Sequence, residues 1–409
     1  MTTGPNTQWV SEKVSEHRSE LEELYQQLHR NPELSMQEAD TVAEIRRRLD
    51  DHGYDTREIG GGVVGVLANG DGPTVMFRAD IDALPVQEAT GLPYASTKTM
   101  ADREGTIVPV MHACGHDVHV TAGIGAARVL AEARDRWAGT YVALFQPGEE
   151  TAEGARAMVD GGLVGQVPAP DVVLGQHVLT RPAAGQVGTR QGAMLSTGAS
   201  IRVTVHGKGS HGAMPHLGID PVVLAASIVL RLQGIVAREV DPFTMAVVTV
   251  GSLQAGTKSN IIPDHAVLLI NIRAYDDDVR DHLLAAIERI VRAECEASGS
   301  PREPEFGPYD QYPLTDNDPE VTSRVHEAFV AHFGADRVAD LDPVPASEDF
   351  SVLPTAFGVP YTYWGIGGFL PDQPVFPNHN PGFAPAMQPT LTTGSEAAVV
   401  AALSWLGKE

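Results

Sequence analysis

The 409-residue sequence is poor in cysteine, in basic residues and in long uninterrupted apolar runs. Its two cysteines, Cys114 and Cys295, stand far apart, which excludes a disulfide framework and points to a reducing compartment. Lysine and arginine number 29 against 53 aspartates and glutamates, a formal net charge of −24. A surface of that sign repels nucleic acid and anionic lipid, so neither is an expected partner. No apolar run reads as long enough to span a bilayer, and the first residues lack the basic-then-apolar pattern of a signal peptide. The expected location is therefore cytoplasmic. What remains, 43% apolar and 20% charged residues, describes a globular chain too long for one core, so two domains are expected.

Hydrophobic periodicity gives the class. Helical spacing runs from Glu12 to about His29, where Pro32 follows, and again from Met36 to Leu49. Short apolar runs then read as buried strands: Val63 to Leu67, Thr74 to Phe77, Thr140 to Phe145 and Asp171 to Leu174. With helices over Val118 to Ala133 and Ala152 to Asp160 between them, they predict an α/β layer with a mainly parallel sheet. From residue 193 the order becomes β-α-β-β-α-β, that of a ferredoxin-like α+β module. The expected organisation is a catalytic domain in two parts, residues 1–192 and 306–409, with a small lid or dimerisation domain inserted over 193–305. The chain then closes with a helix over Pro319 to Phe333, a strand over Tyr361 to Ile366 and a helix over Thr393 to Leu406.

One stretch is dense in metal-binding chemistry. Met111-His112-Ala113-Cys114-Gly115-His116-Asp117-Val118-His119 offers a thiol, three imidazoles and a carboxylate, and Gly115 lets Cys114 and His116 turn to one centre. Thiolate and imidazole suit Zn²⁺, while nearby carboxylates widen the choice to Mn²⁺ or Co²⁺. In open α/β sheets the site lies beyond the carboxyl ends of the strands. Asp80 and Asp82, the pair Glu149 and Glu150, and His177 each follow a predicted strand and so share that edge. Of two adjacent acids one can hold metal while the other takes a proton from water and passes it to a leaving amine, the chemistry of a metal-dependent amide hydrolase. Taken singly, each of these features also reads as a polar loop or a solvated charge pair.

The sequence resembles the M20 metallopeptidases, and among them the amidohydrolase branch of aminoacylase-like, hippurate hydrolase-like and auxin-conjugate hydrolase-like enzymes. The resemblance rests on Phe77 to Pro85, the 111–119 loop, Gln146 to Thr151, Gly175-Gln176-His177, Gly207 to His216, Asn260 to Pro263, Ser347 to Phe350 and Asn378-His379, in order along the chain. It implies a zinc-peptidase-like catalytic domain and two divalent metal ions per subunit, Zn or Mn with Co or Ni as alternatives. They would be held by Cys114, His116, Glu150, His177 and His379, with Cys114 bridging. Glu149 becomes the general base and acid, and Asp82 orients a ligand. His211 polarises the scissile carbonyl, from a partner subunit or after domain closure, and Asn260 and Arg273 hold the substrate carboxylate. A homodimer through the inserted domain is also implied. No role is assigned to Asp80, which stands where other branches place a metal histidine, or to His112, Asp117, His119, His216 and Glu348. Cys295 reads as an inert core residue.

The expected reaction is hydrolysis of the amide bond of N-acyl amino acids or related small amides. A dipeptidase or an N-acetyl-diaminopimelate-type deacetylase would use the same groups. Two readings differ in kind: a cysteine hydrolase with Cys114 as nucleophile, which leaves Glu150, His177 and His379 without a task, and a non-catalytic binder of amino-acid conjugates.

Overall fold

The computed structural model describes residues 7–408. The chain forms two compact units: one comprises the chain to Met194, Asp316–Pro343 and Asp349 onward, the other Leu195–Thr315 and Val344–Glu348.

The first unit is built on an eight-stranded sheet. Its order is Asp55–Ile59, Gly62–Asn69, Gly139–Gln146, Thr74–Asp80, Val172–Ala183, Tyr361–Phe369, Val187–Thr189, Val338–Asp340. Thr74–Asp80 runs parallel to both its neighbours, and Val172–Ala183 runs parallel to Tyr361–Phe369. These central strands are covered on both faces, which is why they read as continuous apolar runs rather than alternations. Two helices rich in small residues, His116–Glu132 and Met387–Leu406, share the core cluster with Phe77, Phe145, Trp364 and Leu174. Each buried leucine or phenylalanine there contributes roughly 1.5–3 kcal/mol.

The second unit has a four-stranded antiparallel sheet in the order Ala246–Ala255, His265–Ala274, Thr197–His206, Glu305–Tyr312. His265–Ala274 alternates buried and partly exposed residues, so one face is core. Helices Pro221–Glu239 and Asp277–Ala297 bring Leu224, Ile228, Leu232, Leu283, Ile287 and Val291 into that core. Each helix is started by an aspartate whose side chain accepts first-turn N–H groups, Asp220 and Asp276. The element order is that of the ferredoxin-like module, and Cys295 is buried in this core. The strand starting at Glu305 pairs with Thr197–His206 and belongs to this unit, which continues to Thr315.

Several local expectations are revised. The single helix expected over Glu12 to His29 is two, Gln8–Glu16 and Arg18–Arg30, because His17 (φ −99°, ψ 4°) leaves the helical region. The helix expected from Met36 begins at Ala39: Met36 has φ 62°, and the buried Glu33 carboxylate accepts the N–H groups of Asp40 and Thr41. The strand expected to end at Leu174 continues to Ala183 beside Tyr361–Phe369, so His177 lies within it. Among the described residues one helix, Pro221–Glu239, is long and apolar enough to cross a membrane by length and composition. Its Leu224, Ile228, Leu232 and Ile235 instead pack in the second unit's core.

Candidate metal centre

The 111–119 stretch turns sharply into a helix. Gly115 precedes the helix His116–Glu132 with φ 83°, and a Cβ there would lie 2.4 Å from a Val178 methyl. Only glycine meets both conditions, and its turn sets Cys114 and His116 on either side of one point. Glu149 and Glu150 occupy a single 3₁₀ turn after the strand Gly139–Gln146. His177 comes from the strand Val172–Ala183, on the far side of Thr74–Asp80, and His379 from a loop tied down by its N–H to Ala113 O at 2.8 Å.

The five expected ligands converge within the first unit. Cys114 Sγ lies 3.5 Å from His177 Nε2, and His379 Nε2 lies 3.3 Å from Glu150 Oε2. His116 Nε2 is 3.8 Å from Glu150 Oε1 and 4.0 Å from Glu149 Oε2. The ligand atoms of Cys114, Glu150 and His379 all fall within 4.8 Å of one another, as do those of His116, Glu149 and Glu150. His116 Nε2 and Glu150 Oε1 are buried without a hydrogen-bond partner. Buried polar atoms are rarely left so, and two that can each turn a lone pair to one gap, a deprotonated imidazole nitrogen and a carboxylate oxygen, fit a cation held between them. The mixed thiolate, imidazole and carboxylate donor set suits a pair of borderline divalent ions.

Around the ligands stands a supporting ring. Asp82, buried, lies 3.1 Å from His116 Nδ1 through one oxygen, and through the other accepts from Ser35 Oγ at 2.6 Å and from Glu150 N at 3.1 Å. His177 Nδ1 donates to Val178 O at 2.7 Å, which leaves Nε2 to face Cys114. Fully buried Arg78 binds Gln146 through Nε at 2.9 Å and Asp80 through Nη1 at 2.7 Å. Burial would lower the His116 pKa, yet the Asp80 charge and the Asp82 hydrogen bond outweigh it and hold the imidazole well above its ordinary value. His379 is pushed up to about 10 by hydrogen bonds to Cys114 and Glu150, against burial. Both must lose a proton to take up metal.

The residues without an assigned role separate by contact. Asp117 Oδ2 lies 2.7 Å from His29 Nδ1, and His29 Nε2 is 3.1 Å from Glu88 Oε1, so Asp117 anchors the metal loop to the helix Arg18–Arg30. His112 is buried with neither ring nitrogen hydrogen bonded, and burial pushes it down to about 4. Asp80 and His119 are wholly buried beside His116 and His177. His216 is exposed in the turn Pro215–Leu217, and Glu348 is buried at the end of the second unit's returning segment.

Three contributors escaped the sequence reading. Asn378 donates from Nδ2 to Cys114 Sγ at 3.3 Å; its place beside His379 was the available signal. Ser35 and Glu38 come from the connection between the helices Arg18–Arg30 and Ala39–Asp51 and carry no motif. Glu38 accepts from Gly148 N at 2.8 Å and Met36 N at 2.9 Å, and burial, then the Asp82 charge, push it up to about 7.

His211, Asn260 and Arg273 all belong to the second unit. The pair Ser210–His211 bridges Ile261–Ile262, and Gly212 N donates to Asn260 O at 2.8 Å, so His211 and Asn260 share one small antiparallel ladder. Exposed His211 accepts from Ala213 N at 3.1 Å. Arg273, near the end of its strand, binds Asn271 Oδ1 at 3.1 Å and Ser347 Oγ.

Residues 76–400 match the model of peptidase family M20/M25/M40. The chain belongs to this family. Thermostable carboxypeptidase 2 of Saccharolobus solfataricus is 35% identical to it over 411 residues, 97% of this chain and 99% of that protein. Hippurate hydrolase of Campylobacter jejuni is 36% identical over 342 residues, 83% of this chain and 86% of the relative. Among solved structures, the Bacillus subtilis YXEP protein, described as a dinuclear metal binding peptidase of the M20 family, superposes with a TM-score of 0.76. It is 28% identical, with 95% of this chain and 98% of that one covered. This M20 chain is a metal-dependent hydrolase acting on amide bonds.

Proposed function

We propose that this M20 enzyme hydrolyses N-acyl amino acids or related small amides bearing a free carboxylate, releasing the acyl acid and the amino acid. The observation that carries this reading is the buried, unpartnered pair His116 Nε2 and Glu150 Oε1, 3.8 Å apart, with Glu149 beside them. Cys114, His116, Glu150, His177 and His379 would hold two divalent ions, with zinc or manganese as the favoured pair. Bound there, the ions supply Lewis acidity towards water and towards the amide carbonyl. Glu149, 6% exposed, takes a proton from the attacking water as its oxygen bonds to the acyl carbon. As the C–N bond breaks, Glu149 returns that proton to the leaving amine. His211 steadies the carbonyl oxygen, and Asn260 and Arg273 bind the substrate carboxylate. The protein works in the cytoplasm as a homodimer through its second unit, with His211 acting on the partner's substrate.

A peptide substrate is the second reading, favoured by the 35% identity with the carboxypeptidase over 97% of the chain. It needs the same groups, because a C-terminal amino acid joined through its nitrogen to an acyl group is common to both substrates. The test is a panel of N-acetyl, N-benzoyl and dipeptide substrates given to metal-stripped protein with and without added Mn²⁺ or Zn²⁺. Turnover should require metal, and Glu149→Gln should keep its metal while losing at least ~10²-fold in kcat. Metal-independent turnover would overturn the mechanism, and preference for dipeptides would select the second reading. Mixing Glu149→Gln with His211→Ala protein should restore part of the activity; failure despite subunit exchange would remove the action in trans.

A further inference from the structure

Asp80, His116, His119 and His177 place their side-chain donors within 4.8 Å of one another, so His119 competes with the expected ligands for a place at the centre. Its hydrogen bonds decide otherwise. His119 Nδ1 lies 2.5 Å from Asp80 Oδ1, and its Nε2 accepts the backbone N–H of Val178 at 2.8 Å. An imidazole nitrogen that accepts an N–H carries no proton, so the proton sits on Nδ1 and is donated to Asp80. Both nitrogens are engaged, and no lone pair is left for a metal.

Val178 is the residue after His177, and its carbonyl accepts from His177 Nδ1 at 2.7 Å. His119 thus grips the N–H of the same residue whose C=O orients the ligand imidazole. The rings of His119 and His177 also meet edge to face, with centroids 4.4 Å apart and planes at 72°. Asp80 is held in turn by Arg78 Nη1 at 2.7 Å. We infer that Arg78, Asp80 and His119 form a buried positioning chain that fixes the direction of His177 Nε2, with His119 a support for the ligand and not a ligand itself. The inference rests on the two-ion reading of the centre and gives Asp80 a task in place of metal binding. A change in such a support lowers metal affinity on the order of 10–100-fold.

The test uses metal-stripped full-length protein titrated with Co²⁺, read by visible absorption and by competition with a chromophoric chelator. His119→Phe keeps a ring against His177 and removes both hydrogen bonds. His119→Gln can still accept from Val178 and donate to Asp80. His119→Ala is carried alongside so that the result does not depend on one variant folding, and circular dichroism verifies each fold. The wild type should bind two ions; the Phe and Ala variants should still bind two at saturation, one of them on the order of 10–100-fold more weakly. Their cobalt spectra should be altered, and the Gln variant should recover most of the affinity. Unchanged affinity in a folded Phe or Ala variant would overturn the inference alone, as would a fall to one ion, which would make His119 a ligand. A wild type that binds fewer than two ions would overturn the two-ion reading and this inference with it.

Discussion

Asp82 stands behind His116, its Oδ1 3.1 Å from the ring's Nδ1, while its Oδ2 takes hydrogen bonds from Ser35 and from the Glu150 backbone. One carboxylate therefore sets the direction of one expected ligand and the backbone position of another. Asp82→Ala should lower metal affinity by about 10–100-fold, measured by chelator competition, with the fold retained. Affinity equal to the wild type would show that His116 is oriented by its packing instead.

Metal uptake should release protons. His379, held up to about 10 by Cys114 and Glu150, and His116, held high by Asp80 and Asp82 against burial, are both protonated at neutral pH before metal arrives. Protons and metal then compete, so affinity should fall as pH falls from about 10. Calorimetry in buffers of different ionisation enthalpy measures the release directly; a heat independent of buffer contradicts the prediction.

The buried triad Glu88, His29 and Asp117 should make stability depend on pH in the alkaline range. Burial alone would lower the His29 pKa, but hydrogen bonds to Asp117 and Glu88 outweigh it and raise it from 6.5 to about 9. A folded value above the unfolded one stabilises fully below about 6.5, and that contribution is lost as pH rises through about 9. Its size is about 3 kcal/mol. Denaturant unfolding at pH 6 and pH 10 should show a larger loss for the wild type than for His29→Gln; parallel losses would remove His29 as the cause.

Gly198 keeps space for Arg273. A Cβ at position 198 would lie 2.9 Å from an Arg273 guanidinium nitrogen and 2.7 Å from Ser347 Oγ, across the pairing of Gly198 with Arg273. Gly198→Ala should displace the guanidinium and raise KM for substrates with a free carboxylate by about tenfold. kcat should change much less. Equal effects on a carboxamide analogue would show that Arg273 does not read the carboxylate.

Much of the centre was legible in the sequence because its chemistry is local. Cys114, His116, Glu149 and Glu150 sit in two short motifs, and the continuous apolar strands before them announce a sheet covered on both faces. Boundaries were less legible. The break at His17 and the late start at Ala39 depend on a bridge-region residue, a positive φ at Met36 and the Glu33 carboxylate, none of which alters the helical spacing.

By itself the sequence determined the α/β class, the ferredoxin-like order of the second unit and the types of donor at the centre, since periodicity and side-chain chemistry are properties of neighbouring residues. Only the tertiary structure decided which donors have a free lone pair. His119 and His177 are alike in the sequence, each beside an apolar run. Folding puts Asp80 and the Val178 amide on the two nitrogens of the first, and the Val178 carbonyl on one nitrogen of the second. A hydrogen bond made across 59 residues of chain leaves no periodicity to read, yet it separates a support from a ligand.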